Sequence, residues 1–219
     1  MVWTIPNILT FLRLMAAPGV AIAFLYFTRP YADWFALVLF VTAAATDWFD
    51  GYLARAWGQT TKLGAMLDPI ADKAMVVIAL MVFMGYSSYS AWLVLPATVI
   101  VFREVFVSGL REFLGDTAGT LKVTKLAKWK TTTQMVAIAV LFAQGVFEHY
   151  VAMGVWGMDD AMFEAILAGE VADEAGLRWK YTAMIWSGQI GLVLLWLAAF
   201  LTAITGIDYF RKAWPHLKE

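Results

Sequence analysis

Long apolar runs alternate with short polar segments along almost the whole chain. An α-helix needs about 20 mostly apolar residues to cross the hydrocarbon core of a bilayer. The runs of about that length lie roughly at residues 8–28, 33–54, 66–86, 91–111, 131–148 and 184–208, of which the fifth is short. No alternation typical of β-barrel strands is visible. We therefore predict an all-α, polytopic membrane protein in which residues 1–219 form a single domain with six transmembrane helices.

The composition agrees with this prediction. Of the 219 residues, 62% are hydrophobic and 15% are charged, whereas soluble domains are about 45–50% apolar and about 25% charged. The chain has no Cys and 2 His, which excludes disulfides and thiolate catalysis and disfavours a histidine-based zinc site. No basic residue precedes Arg13. The first apolar run is therefore expected to remain as a transmembrane helix instead of being a cleaved signal peptide.

The loop charges predict an orientation in the membrane. Lys and Arg concentrate around residues 55–73, around 111–130 and in the C-terminal tail, whereas residues 148–181 are rich in Asp and Glu. By the positive-inside rule, both termini and both basic loops lie in the cytoplasm, and 148–181 is an acidic extracytoplasmic insertion. Within it, the stretch AMFEAILAGEVADEAG predicts a short amphipathic helix capped by Asp159 or Asp160.

Four aspartates lie within 26 residues, beside two of the predicted spans. Asp47 and Asp50 are three residues apart and Asp68 and Asp72 are four apart, so each pair shares one face of a helix. Ionisable groups inside spans are costly and usually functional. Like charges so close need cations, and carboxylate oxygens suit two Mg²⁺ or Mn²⁺ ions. A solvated, salt-bridged loop between two helices is the alternative.

Two glycines share faces with these acids. Gly51 lies four residues after Asp47, and Gly64 lies four residues before Asp68. A glycine on an inward face allows a ligand or a neighbouring backbone to come close. Simple helix–helix packing is the other interpretation of either glycine.

A pair of divalent cations at a membrane interface is suited to phosphoryl transfer. No Ser/His or Cys/His pair is available for a covalent intermediate. The simplest mechanism is direct attack by an acceptor hydroxyl that a carboxylate deprotonates. A divalent-cation transporter, which binds ions in transit, and a non-catalytic scaffold are the alternatives from other classes.

The spacing D-x2-D-G-x2-A-R-x8-G-x3-D-x3-D, which runs from Asp47 to Asp72, matches the signature of the CDP-alcohol phosphotransferases at every position. The chain also resembles one branch of that family, the bacterial phosphatidylglycerophosphate synthases. The segments that carry this resemblance are IPNILTFLR, TDWFDGYLAR, LGAMLDPIADK, REVFVSGLREF and KLAKWKTTTQM. It covers the first five predicted spans and not the acidic insertion, which looks longer than the corresponding link in the family.

The resemblance implies an activity and a setting. The phosphatidyl group of CDP-diacylglycerol would pass to sn-glycerol 3-phosphate, which gives phosphatidylglycerol phosphate and CMP. The enzyme would be a homodimer in the bacterial inner membrane, with its active site at the cytoplasmic face and no nucleic-acid partner. Other acceptors, such as inositol phosphate or serine, are the alternatives within the same chemistry.

The resemblance also implies residue roles. The four aspartates would bind two Mg²⁺ or Mn²⁺ ions, and Asp72 would also be the general base. The residues expected to bind CDP-diacylglycerol are Asn7, Thr10, Arg13, Gly51, Ala54, Arg55, Thr61 and Gly64. The residues expected to bind glycerol 3-phosphate are Arg103, Arg111, Lys125, Lys128 and Lys130. For Arg103, pairing with Glu104 or Glu112 is the alternative, and the loop lysines could instead attract anionic lipid head groups.

Overall fold

The computed structural model describes the backbone of residues 4–56, 61–121 and 125–217. Side chains are described there except those of Pro6, 47–56, Asp116, Thr120, Lys125 and Lys128. The described chain contains seven α-helices and no strand, so the predicted all-α class is confirmed. The helices are α1 (Ile5–Tyr26), α2 (Tyr31–Ala56), α3 (Lys62–Tyr86), α4 (Ala91–Leu114), α5 (Lys125–Gly154), α6 (Asp160–Ala168) and α7 (Leu177–Ala213).

Six of these helices overlap the six apolar runs, and α5 and α7 extend furthest beyond the predicted bounds. The helix α5 extends past the predicted 131–148 at both ends, and α7 has 37 residues where 184–208 was expected. Apolar content marks the stretch suited to hydrocarbon. The hydrogen-bonded backbone can continue into polar residues such as lysines, which are good helix formers.

Four helices of the described chain are long and apolar enough to cross a membrane. They are Asn7–Tyr26, Ala91–Leu114, Trp129–Gly154 and Leu177–Leu217. The apolar helical stretch Tyr31–Thr46 is shorter, and the first half of α3 carries two lysines and two aspartates. A membrane protein with several spans is therefore supported, whereas six crossings and cytoplasmic termini stay predictions.

The chain divides into two compact units, the first of which comprises Met1–Met75 and Ala139–Gly191. In this unit α1 packs along α2. Phe24 of α1 and Phe40 of α2 each place their ring centroid 6.0 Å from that of Phe142 on α5. Phe40 and Phe142 are almost fully buried, so these rings form part of the core that holds the three helices together.

The turn between α1 and α2 is fastened to α5 by Arg29. Its guanidinium donates from Nε and Nη2 to the two carboxylate oxygens of Asp33, each at 2.8 Å. It also donates to Glu148 at 3.2 Å and to the carbonyl of Gly145 at 3.1 Å. The hydrogen bond to Asp33 is the main reason that the pKa of Arg29 is raised above its ordinary value. Asp33 is 2% exposed, and this bidentate contact neutralises its buried charge.

A helix is present in the acidic segment as predicted, but α6 covers only the first half of the predicted stretch and stops before residues 169–176. Asp159 is its N-cap and accepts a hydrogen bond from the N–H of Met162 at 2.8 Å. The helix ends at Ala168, and its C-cap is Gly169, whose φ of 85° lies in the left-handed region that favours glycine. Phe163 packs edge-on against Tyr181 of α7 at 5.6 Å between centroids. The segment is therefore a folded part of the first unit.

The second unit comprises Val76–Ile138 and Leu192–Glu219. In it α4 packs along the second part of α7. Trp196 donates from Nε1 to the carbonyl of Trp92 at 2.9 Å, and the rings of Phe106 and Phe210 lie 5.7 Å apart. Aromatic contacts of this kind join the two helices over several turns.

Candidate functional site

Thr61 connects the start of α3 to α1. Its hydroxyl oxygen accepts the N–H of Gly64 at 3.0 Å, which caps the first turn of α3. The same hydroxyl donates to Oδ1 of Asn7 at 2.9 Å. A Cβ added to Gly64 would lie 2.6 Å from that Asn7 oxygen. Of the two interpretations of Gly64, the structure therefore supports close packing against a neighbouring helix.

The two aspartates of α3 are each contacted by a side chain of α1. The hydroxyl of Thr10 donates to Oδ1 of Asp68 at 2.5 Å. The Nη1 of Arg13 lies 3.0 Å from Oδ1 of Asp72, and the side chains are 1% and 36% exposed respectively. A buried cation thus orients a carboxylate that stays accessible from outside. The predicted placement of Asp68 and Asp72 on one face of a helix agrees with these contacts.

The contacts also show where the residues predicted for nucleotide binding lie. Asn7, Thr10 and Arg13 are all buried, and each of them contacts α3 or the residue that caps it. No signal in the sequence indicated that α1 would supply partners to the motif carboxylates. The side chains of Asp47, Asp50, Gly51, Ala54 and Arg55 lie outside the described residues, although α2 continues through them to Ala56.

The donor chemistry suits hard divalent cations. Asp68 and Asp72 are partly exposed and offer carboxylate oxygens, the ligand type that Mg²⁺ and Mn²⁺ prefer. The residues whose side chains are described contain no cluster of three or more potential metal ligands. Two of the four predicted ligands, Asp47 and Asp50, lie outside that set. The described half of the predicted site therefore fits the ions, with two oxygen donors on one helix face.

An apolar cavity of about 370 Å³ lies between α1 and α2 in the first unit. Its polar lining residues are Arg13, Thr42 and Thr46, and the rest of its wall is hydrocarbon. The apolar lining residues are Leu9, Leu12, Ala16, Phe35, Val38, Leu39 and Ala43. Arg13, whose guanidinium contacts Asp72, is therefore also one of the residues that line a space suited to a hydrocarbon chain.

In the second unit, two of the basic residues predicted to bind the acceptor share one carboxylate. Arg103 Nη1 lies 3.2 Å from Oε1 of Glu104, and Lys130 Nζ donates to the same oxygen. The alternative in which Arg103 pairs with Glu104 is therefore observed. Glu104 was not predicted as a site residue, although an acid beside an arginine within an apolar run was a usable signal.

The other predicted acceptor residues are not seen to join that group. The Arg111 guanidinium lies over the ring of Tyr209, at 5.3 Å from its centroid. The side chains of Lys125 and Lys128 lie outside the described residues. The structure thus brings Arg103 and Lys130 together and gives Arg111 a different neighbour.

Comparison with known proteins identifies a family that this chain matches. The family model for CDP-alcohol phosphatidyltransferase matches residues 3–204. A curated CDP-diacylglycerol–glycerol-3-phosphate 3-phosphatidyltransferase from Cereibacter sphaeroides is 62% identical over 99% of this chain and 98% of its own. Proteins of the same name from Rickettsia bellii and Escherichia coli K12 are 35% and 38% identical, over 94% and 71% of this chain and 93% and 86% of theirs.

Proposed function

This chain belongs to the CDP-alcohol phosphatidyltransferase family, and on that premise we propose that it transfers the phosphatidyl group of CDP-diacylglycerol to sn-glycerol 3-phosphate. The products are phosphatidylglycerol phosphate and CMP. The observation that carries the proposal is the 62% identity, over 99% of the chain, to a relative named for this reaction. The complete aspartate signature between Asp47 and Asp72 agrees with it.

The proposed chemical step is a direct displacement at phosphorus. A hydroxyl of glycerol 3-phosphate attacks the phosphorus that bears the diacylglycerol, and the bond from that phosphorus to the oxygen of CMP breaks. Asp72 accepts the proton of the attacking hydroxyl, and CMP leaves with the electron pair of the broken bond. Because Arg13 holds one oxygen of Asp72, the carboxylate has a fixed direction, which is a requirement for a positioned base.

Asp47, Asp50, Asp68 and Asp72 are the proposed ligands of two divalent cations, Mg²⁺ or Mn²⁺. When bound, such ions neutralise a diphosphate and stabilise a leaving phosphate. The contact from Thr10 orients Asp68 in the way that hydrogen bonds to metal ligands usually do. Each of the two described ligands is therefore supported by a side chain of α1.

The proposed lipid site combines polar and apolar parts. Gly51, Ala54 and Arg55 are proposed to contact the CDP group, with Asn7, Thr10, Arg13, Thr61 and Gly64 beside them. The cavity between α1 and α2 supports a lipid substrate because its wall is hydrocarbon except at Arg13, Thr42 and Thr46. An acyl chain would bury apolar surface there while the charged part of the lipid stays near the arginine.

The phosphate of the acceptor is proposed to bind basic side chains, of which Arg103 and Lys130 are the best supported because they occur together. Arg offers a fork suited to phosphate oxygens and Lys a point charge. Arg111, Lys125 and Lys128 stay candidates on resemblance alone.

The proposed setting is the bacterial inner membrane, with six crossings, both termini and the active site on the cytoplasmic side, and a homodimeric assembly. The four apolar helices support membrane insertion. The concentration of Lys and Arg around 55–73, around 111–130 and in the tail supports the orientation.

The test is CMP release from CDP-diacylglycerol by the purified protein, with Mg²⁺ or Mn²⁺ and one acceptor at a time. We expect a strong preference for sn-glycerol 3-phosphate over inositol phosphate and serine, and the absence of that preference would refute the acceptor assignment. A divalent-cation transporter is distinguished by thermal stability in detergent. An enzyme of this family is stabilised by CDP or CMP together with the ion, whereas a transporter responds to the ion alone.

A further inference from the structure

Glu104 is a buried acid in the apolar helix α4. Its residue surface is 8% exposed, and that of Lys130 is 6% exposed. One carboxylate oxygen, Oε1, receives both the ammonium of Lys130 and the Nη1 of Arg103. Burying a charge is costly unless it is paired, and here a single acid meets two cations. A single buried acid therefore joins the two cations.

This shared contact gives the group a use beyond packing. Two adjacent cations would repel each other and turn apart without an acid between them. With the acid in place they stay side by side, where both can face the same anion.

Arg103 has a further donor that is buried and not satisfied. Within the described part of the chain its Nε makes no hydrogen bond. The Cγ of Arg103 would lie 2.9 Å from a Cβ placed on Gly206 of α7, so the arginine stem passes close to that helix. A buried N–H without an acceptor is rare in folded proteins. A phosphate oxygen would satisfy it.

We propose that Glu104 is a positioning residue for the acceptor, which holds Arg103 and Lys130 side by side so that together they bind the phosphate of glycerol 3-phosphate. This inference rests on the proposed function. Glu104 does not touch the substrate in this arrangement, because its charge would repel a phosphate. It acts through the two cations.

The first experiment compares Glu104→Gln with Glu112→Gln in the purified full-length protein. Glu112 lies on the same helix and is exposed, so it is the matched control. We expect Glu104→Gln to raise the KM for glycerol 3-phosphate by about tenfold or more, the size of a charged hydrogen bond. The KM for CDP-diacylglycerol and kcat should stay within about twofold, and Glu112→Gln should resemble the wild type. Weaker competition by inorganic phosphate in Glu104→Gln is expected in parallel.

The second experiment tests whether Glu104 acts through Lys130. In a Lys130→Gln background, adding Glu104→Gln should raise the KM for glycerol 3-phosphate much less than it does in the wild type, because the contact is already lost. If the effects of the two substitutions on the KM for glycerol 3-phosphate were fully additive in free energy, the inference would be overturned. An unchanged KM in Glu104→Gln, or equal losses for both substrates, would also overturn it.

Failure of the proposed function gives a different result, since the wild type would then release no CMP with glycerol 3-phosphate. If Glu104→Gln does not fold, Glu104→Asp is measured in its place. It keeps the charge on a shorter side chain, and the same selective rise in the KM for glycerol 3-phosphate is expected. The side chain of Glu104→Asp is one carbon shorter, which withdraws the carboxylate from both cations. A wild-type KM for glycerol 3-phosphate in this variant would count against the inference.

Discussion

Arg13 on α1 and Asp72 on α3 form an ion pair across 59 residues of sequence, with 3.0 Å between Nη1 and Oδ1. The arginine side chain is 1% exposed and the aspartate side chain is 36% exposed. The cation is therefore fixed by burial, while the carboxylate can still meet a substrate. The last aspartate of the signature is thus oriented by a helix outside the signature.

Asp72→Asn tests the proposed base. The amide keeps an oxygen that can accept from Arg13, so the variant should remain folded, but it cannot take a proton. We expect CMP release to fall by at least about a hundredfold, the usual contribution of a general base. The measurement is the rate with glycerol 3-phosphate, together with the thermal midpoint in detergent. Asp160→Asn, an exposed acid in the first turn of α6, is the control. A rate near that of the wild type would remove the assignment.

Thr10→Val tests the support of Asp68. Valine has nearly the same shape as threonine but lacks the hydroxyl that donates to Asp68 at 2.5 Å. Loss of a hydrogen bond to a metal ligand typically weakens metal affinity by about 10- to 100-fold. We expect a matching rise in the Mn²⁺ concentration needed both for half-maximal CMP release and for half-maximal thermal stabilisation. Thr10→Ser should behave like the wild type. Identical Mn²⁺ requirements in Thr10→Val and the wild type would contradict the role.

Gly64→Ala tests the close approach of α1 and α3. The added Cβ would lie 2.6 Å from Oδ1 of Asn7, and Asn7 is 2% exposed, so it has little room to move. We expect a loss of stability of about 1–3 kcal/mol, as for other overpacked sites. The control is Gly19→Ala in α1, where nothing lies within 4 Å of the new Cβ. There alanine should be neutral or slightly stabilising. Equal thermal midpoints for the two variants would refute the packing explanation.

Asp173 makes the start of α7 sensitive to acid. Its carboxylate accepts from the N–H of Arg178 at 3.0 Å and from that of Leu177 at 2.6 Å. The bond from Arg178 is the main cause that lowers the pKa of Asp173 below its usual 3.8. Because the pKa is lower in the folded protein, the ionised carboxylate stabilises the fold at pH values above the usual pKa. This stabilisation is lost as the pH falls through the lowered pKa of the folded state. Asp173→Ala should therefore speed hydrogen exchange in the first turn of α7 at neutral pH. The difference in hydrogen-exchange rate between Asp173→Ala and the wild type should become smaller below about pH 3.8. A constant difference across that range would show that the ionised carboxylate is not responsible.

Local patterns in the sequence were enough for a large part of this protein. Apolar runs predicted six long helices because a helix in hydrocarbon needs a fixed length of apolar side chains. The four-residue spacing of Asp68 and Asp72 predicted a shared face, and Asp159 was predicted as one of two possible caps of α6. Each of these features depends on residues within a few turns of one another.

Contacts between distant residues could not be predicted in this way. Thr10 and Arg13 were assigned to the nucleotide by resemblance, yet they contact aspartates 58 and 59 residues away. The sequence predicted Glu104 only as an alternative ion-pair partner of Arg103, whereas its contact with Lys130 spans 26 residues. Gly64 allowed two interpretations until Asn7 was placed against it.

The sequence by itself determined the helices, the aspartate signature and the family, because these follow from periodicity and spacing along one chain. Only the tertiary structure decided which side chains hold the carboxylates and which acid holds the cations. The physical reason is that a helix presents several faces, and the packing of its neighbours selects the face that is buried and the charges that must be paired there.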